Sequence, residues 1–196
     1  MPKLFNPSAI VSSATSSHAC ALDDTGVKCW GNNPYGQADA PELLDPRVMA
    51  TGWGHSCAIS SEGVRCWGSV TPQMVTPSVL KNPRKLAAGI NETCVIDDDG
   101  LKCWGGFYQP PQLENPVEVV MGFGHSCAMD KTTGVHCWGS NNHSQTNRFP
   151  FLTPRDLAVG GEHTCAIDRS TLYCWGMNVF GQTNVPVNLL LNPFPL

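Results

Sequence analysis

Ten cysteines fall in five pairs, and every second member is followed by Trp-Gly; no other feature constrains this 196-residue chain as strongly. First cysteines stand at 20, 57, 94, 127 and 165, and second ones at 29, 66, 103, 137 and 174. The step within a pair is therefore 9 residues, or 10 in the fourth, and the step between pairs is 37, 37, 33 and 38. A chain with this period is an array of one small unit, and fold reasoning begins from that unit. The aligned cores are "HACALDDTGVKCWG" from His18, "HSCAISSEGVRCWG" from His55, "ETCVIDDDGLKCWG" from Glu92, "HSCAMDKTTGVHCWG" from His125 and "HTCAIDRSTLYCWG" from His163.

Each unit reads as short strands. A small, β-prone stretch such as 47–52 or 84–89 precedes His-x-Cys-Ala-hydrophobic, an Asp/Ser/Gly turn, and Gly-Val-x-Cys-Trp-Gly. The last three parts form a hairpin. Proline-rich connectors follow, at Pro41, Pro77, Pro111 and Pro150, and no segment sustains a helical apolar period. Three or four short strands repeated every 33–39 residues describe a propeller blade. The expected fold is all-β, a five-bladed propeller in one domain spanning 1–196, with repeats 7–45, 46–82, 83–115, 116–153 and 154–192. The connector motif occurs at both ends, "PKLFNP" from Pro2 and "PVNLLLNPFPL" from Pro186. We read this as a closed ring whose ends overlap; a part of a longer array, or a fragment that oligomerises, are the alternatives.

Cysteines nine apart around a turn face each other across a hairpin, within the distance a disulfide bridges. The pairing predicted is Cys20–Cys29, Cys57–Cys66, Cys94–Cys103, Cys127–Cys137 and Cys165–Cys174, with no free thiol. Each small loop is worth roughly 2–3 kcal/mol in the chain-entropy account. Such bonds persist in an oxidising compartment, so an extracellular, cell-surface or periplasmic location is expected. Zinc is the competing reading, since His-x-Cys and the facing cysteine offer three ligands per hairpin. Zinc cysteines more often come in short knuckles, and the third unit has Glu92 in place of histidine, so no metal site is assigned. The acidic runs at 23–24 and 97–99 fall in hairpin turns and lack the spacing of a calcium loop.

The pattern small-Ala-x-Gly-x-x-His-[Ser/Thr]-Cys-Ala…Cys-Trp-Gly-x-Asn-x-x-Gly-Gln resembles the regulator of chromosome condensation repeat. The fullest matches are "CWGNNPYGQ" from Cys29 and "CWGMNVFGQ" from Cys174. The resemblance implies a propeller, with seven blades in better-known relatives, so five repeats is a departure. Hairpin cysteines resemble the secreted branch of the family. Its functions range from nucleotide exchange on a small GTPase to ultraviolet sensing and β-lactamase inhibition, and fold alone does not choose among them. Nucleotide exchange takes place where disulfides do not persist, and it is set aside.

Composition narrows the classes further. Only 14% of residues are charged and the net charge is −4, which disfavours a nucleic-acid surface. No apolar run reaches the roughly 20 residues of a membrane span, and the first residues hold no hydrophobic signal core, as expected of a mature chain or another export route. Trp30, Trp67, Trp104, Trp138 and Trp175 recur at one repeat position and are expected in packing between blades. His18, His55, His125 and His163 recur too and are expected as neutral structural ties. The sequons at Asn91 and Asn142 are no more than chance supplies.

Variation is more informative than recurrence. In the Gly-x-x-His turn the variable residues are Trp53, Ile90, Phe123 and Glu162, with Ser16 and Ser17 in the first unit. Turns at this point project together from one face, and exposed large aromatics are usual interface anchors. In relatives, aromatics at this turn line partner or dimer faces. Phe107 and Tyr108, in the irregular connector "GGFYQPPQ", are expected as rim contacts, while Tyr35 and Phe180 are expected to pack locally. The function expected is a secreted or surface-exposed, non-catalytic module that binds a protein partner through one propeller face. It needs no cofactor and contacts neither nucleic acid nor membrane interior. A lectin is the alternative, with near-equivalent polar sites around the ring. An enzyme, the third class, would need a non-repeating acid–base set that the sequence does not offer.

Overall fold

The computed structural model describes residues 2–69, 79–149 and 153–186. Fifteen strands form five antiparallel three-stranded sheets, and the described residues contain no helix. Blade 1 is β1 (Ala9–Val11), β2 (His18–Asp23) and β3 (Gly26–Gly31); blade 2 is β4 (Val48–Thr51), β5 (His55–Ser60) and β6 (Gly63–Gly68). Blade 3 is β7 (Lys85–Ala88), β8 (Thr93–Asp97) and β9 (Gly100–Trp104). Blade 4 is β10 (Pro116–Met121), β11 (His125–Asp130) and β12 (Gly134–Gly139); blade 5 is β13 (Pro154–Val159), β14 (His163–Asp168) and β15 (Thr171–Gly176). The innermost strands β1, β4, β7, β10 and β13 line one central cavity of about 360 Å³. Their small residues, such as Ala50, Ala87 and Ala88, let five backbones converge there. The predicted five-bladed all-β propeller is the observed architecture, with three strands per blade.

The hairpin register sets each cysteine directly opposite its partner: Cys20 faces Cys29 and Cys127 faces Cys137. All five predicted disulfides form, with Cα atoms 4.0–4.1 Å apart. The fourth hairpin absorbs its extra residue in the turn, so its strands keep the same register.

Blades 2 to 5 pack by setting their tryptophan on the disulfide of the blade before. Trp67 lies with Cys20, Cys29 and Val27 of blade 1, Trp138 with Cys94 and Ile96 of blade 3, and Trp175 with Cys127 and Val135 of blade 4. The glycine that follows the tryptophan is required by space. At Gly68 (φ +94°) a Cβ would stand 2.6 Å from the Gly54 carbonyl. A histidine–hydroxyl hydrogen bond repeats at three of the joints. His18 Nε2 pairs with Ser56 Oγ at 2.7 Å, His55 with Thr93 at 3.0 Å, and His125 with Thr164 at 3.1 Å. Burial holds His18 below the ordinary histidine value. Burial, helped by His18, brings His55 down to about 4, and burial helped by His163 does the same to His125. His18, His55 and His125 are thus neutral ties to the next blade.

An aspartate closes the opposite end of the hairpin in four blades. Asp23, Asp97 and Asp130 accept the backbone N–H of their own turn and that of the connector: Phe5 for Asp23, Lys81 for Asp97, Asn115 for Asp130. Asp168 takes the N–H of Thr153 in the same way. Burial would raise Asp130, but hydrogen bonds from Thr132, Asn115 and Thr133 hold it well below the usual carboxylate range. These aspartates fasten the long connectors as well as shaping the turns.

The outward faces of the end blades are less covered. Trp30 is half-buried where its four counterparts are buried, and His163 and Gln182 are half-buried where His125 and Gln145 are fully covered. Blade 1 has Ala19 where later blades carry Ser56, Thr93, Ser126 and Thr164, so it has no hydroxyl to offer His163. The closing motif after Pro186, and the connector residues around Pro77 and Pro150–Phe151, lie outside the described residues.

Candidate protein-binding face

The turn linking the first two strands of each blade and the connector leaving its third strand emerge on the same face. The connector turn is built by its own side chains. In blade 1 the Gln37 side-chain oxygen accepts the Tyr35 N–H and Asn33 accepts the Ala38 N–H; Gln145 and Asn141 do the same in blade 4, Gln182 and Asn178 in blade 5. The glutamine carbonyl then receives the next blade. Gln37 accepts from Ser56 Oγ and Trp67 Nε1, and Gln145 from Thr164 Oγ1 and Trp175 Nε1. The connectors of blades 1 and 4 therefore lie against the variable turns of blades 2 and 5.

This juxtaposition brings together residues that the sequence offers as separate sets. The Tyr35 ring lies on Trp53, with centroids 5.6 Å apart. His143 Nε2 approaches Glu162 Oε2 at 3.6 Å. Phe107 and Tyr108 line a cavity with Ile90 and with Gly122 and Gly124, the residues flanking Phe123. Tyr35 thus packs on the turn of the next blade, and Phe107 and Tyr108 border that turn between blades 3 and 4. Phe107 is 88% exposed, Tyr108 and Phe123 are 53% exposed and Trp53 46%. Phe180, also exposed, occupies the same connector position in blade 5 as Tyr35 in blade 1. The result is an apolar, uneven face along blades 2 to 4, passing to the polar pair His143–Glu162 at blade 5.

Glu92 is the site residue that sequence reasoning undervalued. It occupies the histidine position in blade 3, and its Oε2 accepts from Ser126 Oγ at 2.8 Å. A signal existed: Glu92 is the one departure from histidine in five repeats. Its carboxylate and the Cys94 and Cys103 sulfurs lie within 4.8 Å of one another, yet both sulfurs are joined in a disulfide and present no thiolate to a metal. The turn positions differ in chemistry from blade to blade, so the described residues do not form equivalent polar sites around the ring.

A β-propeller of disulfide-stapled blades, with one variable aromatic face, is the class of protein that these observations define. The sequence model of the regulator of chromosome condensation repeat matches residues 13–37, 117–145 and 155–182. Blades 1, 4 and 5 of this propeller therefore carry matches to that repeat. The crystal structure of the CRINKLY WD40 ectodomain of the Arabidopsis thaliana receptor kinase ACR4 is similar to it (TM-score 0.70, 28% identity, 86% of this chain and 62% of that chain). The ectodomain of the Physcomitrella patens receptor kinase CR4 is similar at 23% identity (TM-score 0.69, 87% of this chain, 50% of that chain). Prp20p of Saccharomyces cerevisiae, whose structure was described with its binding to Gsp1p and histones, shares the fold at 16% identity (TM-score 0.65, 91% of this chain, 59% of that chain). Human HERC4, a probable E3 ubiquitin-protein ligase, is 31% identical over 85 residues. That match takes in 34% of this chain and 8% of HERC4.

Proposed function

We propose that this chain is an extracellular, non-catalytic binding module that holds a protein partner on its turn face. The observation that carries the reading is the cluster of exposed Trp53, Phe107, Tyr108 and Phe123, with Tyr35 stacked behind Trp53. Large rings held on rigid turns lose little entropy on binding and supply the anchors of protein interfaces. The disulfides and the likeness to a receptor ectodomain support the compartment. Like charges, metal ligands or a singular acid–base pair would favour other readings; His18, His55 and His125 are neutral ties instead.

A photo-crosslinking amino acid at position 53 or 123, and as control at Leu44, tests this. Leu44 is 65% exposed at the hairpin end, where its carbonyl accepts the Ser61 N–H. In cell-surface and secreted extracts, a discrete protein adduct from 53 and 123 but not from 44 is expected. The same adducts from all three positions, or none from 53 and 123, would overturn the reading.

A further inference from the structure

The joint between blades 3 and 4 differs from those between blades 1 and 2 and between blades 4 and 5 in two linked ways. Glu92 replaces the histidine, and Gly106-Phe107-Tyr108 replaces the Asn-x-x-Gly-Gln turn. With that turn goes the carbonyl that receives the next tryptophan. Trp67 and Trp175 donate to Gln37 and Gln145, whereas the buried Trp138 Nε1 has no hydrogen-bond partner. The vacated space is a cavity of about 150 Å³ opening on the turn face, lined by Ile90, Glu92, Phe107, Tyr108 and Ser126 among others. Small-molecule sites usually run to about 300–1,000 Å³, so this cavity suits one side chain rather than a larger ligand.

The carboxylate in that cavity is short of positive charge. Its described hydrogen-bond partner is the Ser126 hydroxyl, and no Lys or Arg among the described residues pairs with it. Burial pushes Glu92 above the ordinary glutamate value; Ser126 opposes the rise, as does the Trp138 N–H, which stays short of hydrogen-bond geometry. Gly106 keeps the carboxylate in place, since a Cβ there would stand 2.7 Å from Oε1. An apolar occupant would strip water from this carboxylate without replacing it, and an anion would be repelled. A cation on an apolar stem satisfies both walls: charge against Glu92, stem and ring faces against Ile90, Phe107 and Tyr108.

Building on the protein-binding reading of this face, we propose that the pocket between blades 3 and 4 takes the ammonium or guanidinium end of a partner's Lys or Arg side chain, with Glu92 as its counter-ion. The probes are N-acetyl-lysine methylamide, N-acetyl-arginine methylamide and the uncharged N-acetyl-norleucine methylamide, titrated into the oxidised ¹⁵N-labelled chain and followed by amide chemical shifts. Saturable shifts centred on Ile90, Phe107, Tyr108 and Ser126 are expected with the cationic probes. The norleucine probe is expected to bind roughly tenfold more weakly or worse, the ratio that about 1.4 kcal/mol produces. Glu92→Gln retains an acceptor for Ser126, so a dispersed spectrum with roughly tenfold weaker cation binding is expected of it. Phe107→Ala, at an exposed position, weakens binding severalfold with the fold intact. Equal binding of the norleucine probe, unchanged binding by Glu92→Gln, or no saturable shifts would overturn the proposal. Lost cation binding with crosslinks from 53 and 123 intact defeats the pocket alone; lost crosslinks with cation binding intact defeat the protein-face reading instead.

Discussion

The joint between blades 4 and 5 and the joint between blades 3 and 4 are made from the same repeat and end up with opposite characters. In the first, His125 Nε2 meets Thr164, and the Gln145 backbone carbonyl gathers the Thr164 hydroxyl and the Trp175 indole, so that the tryptophan is paired although His125 Nδ1 and the Gln145 side-chain nitrogen are not. In the second, Ser126 turns to Glu92, Trp138 goes without, and a cavity opens to solvent. One changed side chain and one shortened connector separate a structural joint from a pocket. A repeat protein can thus create a site without altering its scaffold, because the disulfide and the tryptophan packing of each blade are kept.

The largest test removes what the two joints share. Replacing Cys127 and Cys137 by alanine frees the hairpin of blade 4, which belongs to both; urea unfolding is expected to show a loss of roughly 2–3 kcal/mol. If stability is unchanged, the staples are not what holds such short blades together. Next comes Thr164→Val. It strands His125 Nε2 and removes a donor from Gln145, costing about 1–3 kcal/mol as expected for an unsatisfied buried group. Ser126→Val is expected to cost less near neutral pH, because its acceptor is a half-buried carboxylate that water can reach.

The two joints also respond oppositely to pH. A histidine with a folded pKa of about 4 binds protons more readily when unfolded, so His55 and His125 lose stability as pH falls from about 6.5 toward about 4. Glu92, raised in the folded state, does the reverse: its contribution declines as pH rises above the ordinary glutamate value. Glu92→Gln is therefore expected to raise the melting temperature at pH 7 and to leave it unchanged near pH 3. Glu92→His should convert the joint toward the common design, bonding Ser126 while adding a further acid-sensitive histidine. A melting-temperature series from pH 3 to 8 on the three proteins would show it, and parallel curves would refute the contrast. Below about pH 4 the depressed Asp23, Asp97 and Asp130 add their own loss in all variants. The smallest effect is expected of Phe107→Ala, within about 0.5 kcal/mol of wild type by urea unfolding. A larger loss would mean that this ring serves the fold.

Much of this was legible in the residues because short-range rules control it. A cysteine step of nine or ten residues around a tight turn sets the two opposite each other, and every disulfide follows from that register. The recurrence of tryptophan marked it as packing, although not that its seat would be the preceding blade's disulfide. The histidine's partner was less visible: the Ser or Thr that follows it bonds the histidine of a different repeat, about 38 residues away. Aspartates were read as turn formers, which they are, but their second role toward the connectors joins residues 15–18 apart.

Sequence by itself determined the blade: strand, hairpin, staple and the identity of the variable turn all follow from contacts within one repeat. Only the tertiary structure decided what happens between blades. It laid Tyr35 on Trp53, set Phe107 and Tyr108 beside the turn of Phe123, and left Glu92 bonded to the hydroxyl a histidine would use while lining a cavity. The physical reason is that side-chain alternation and turn chemistry act over a few residues, whereas a joint depends on how two independently formed sheets meet. There, the loss of a single glutamine carbonyl is felt by a tryptophan some thirty residues further on.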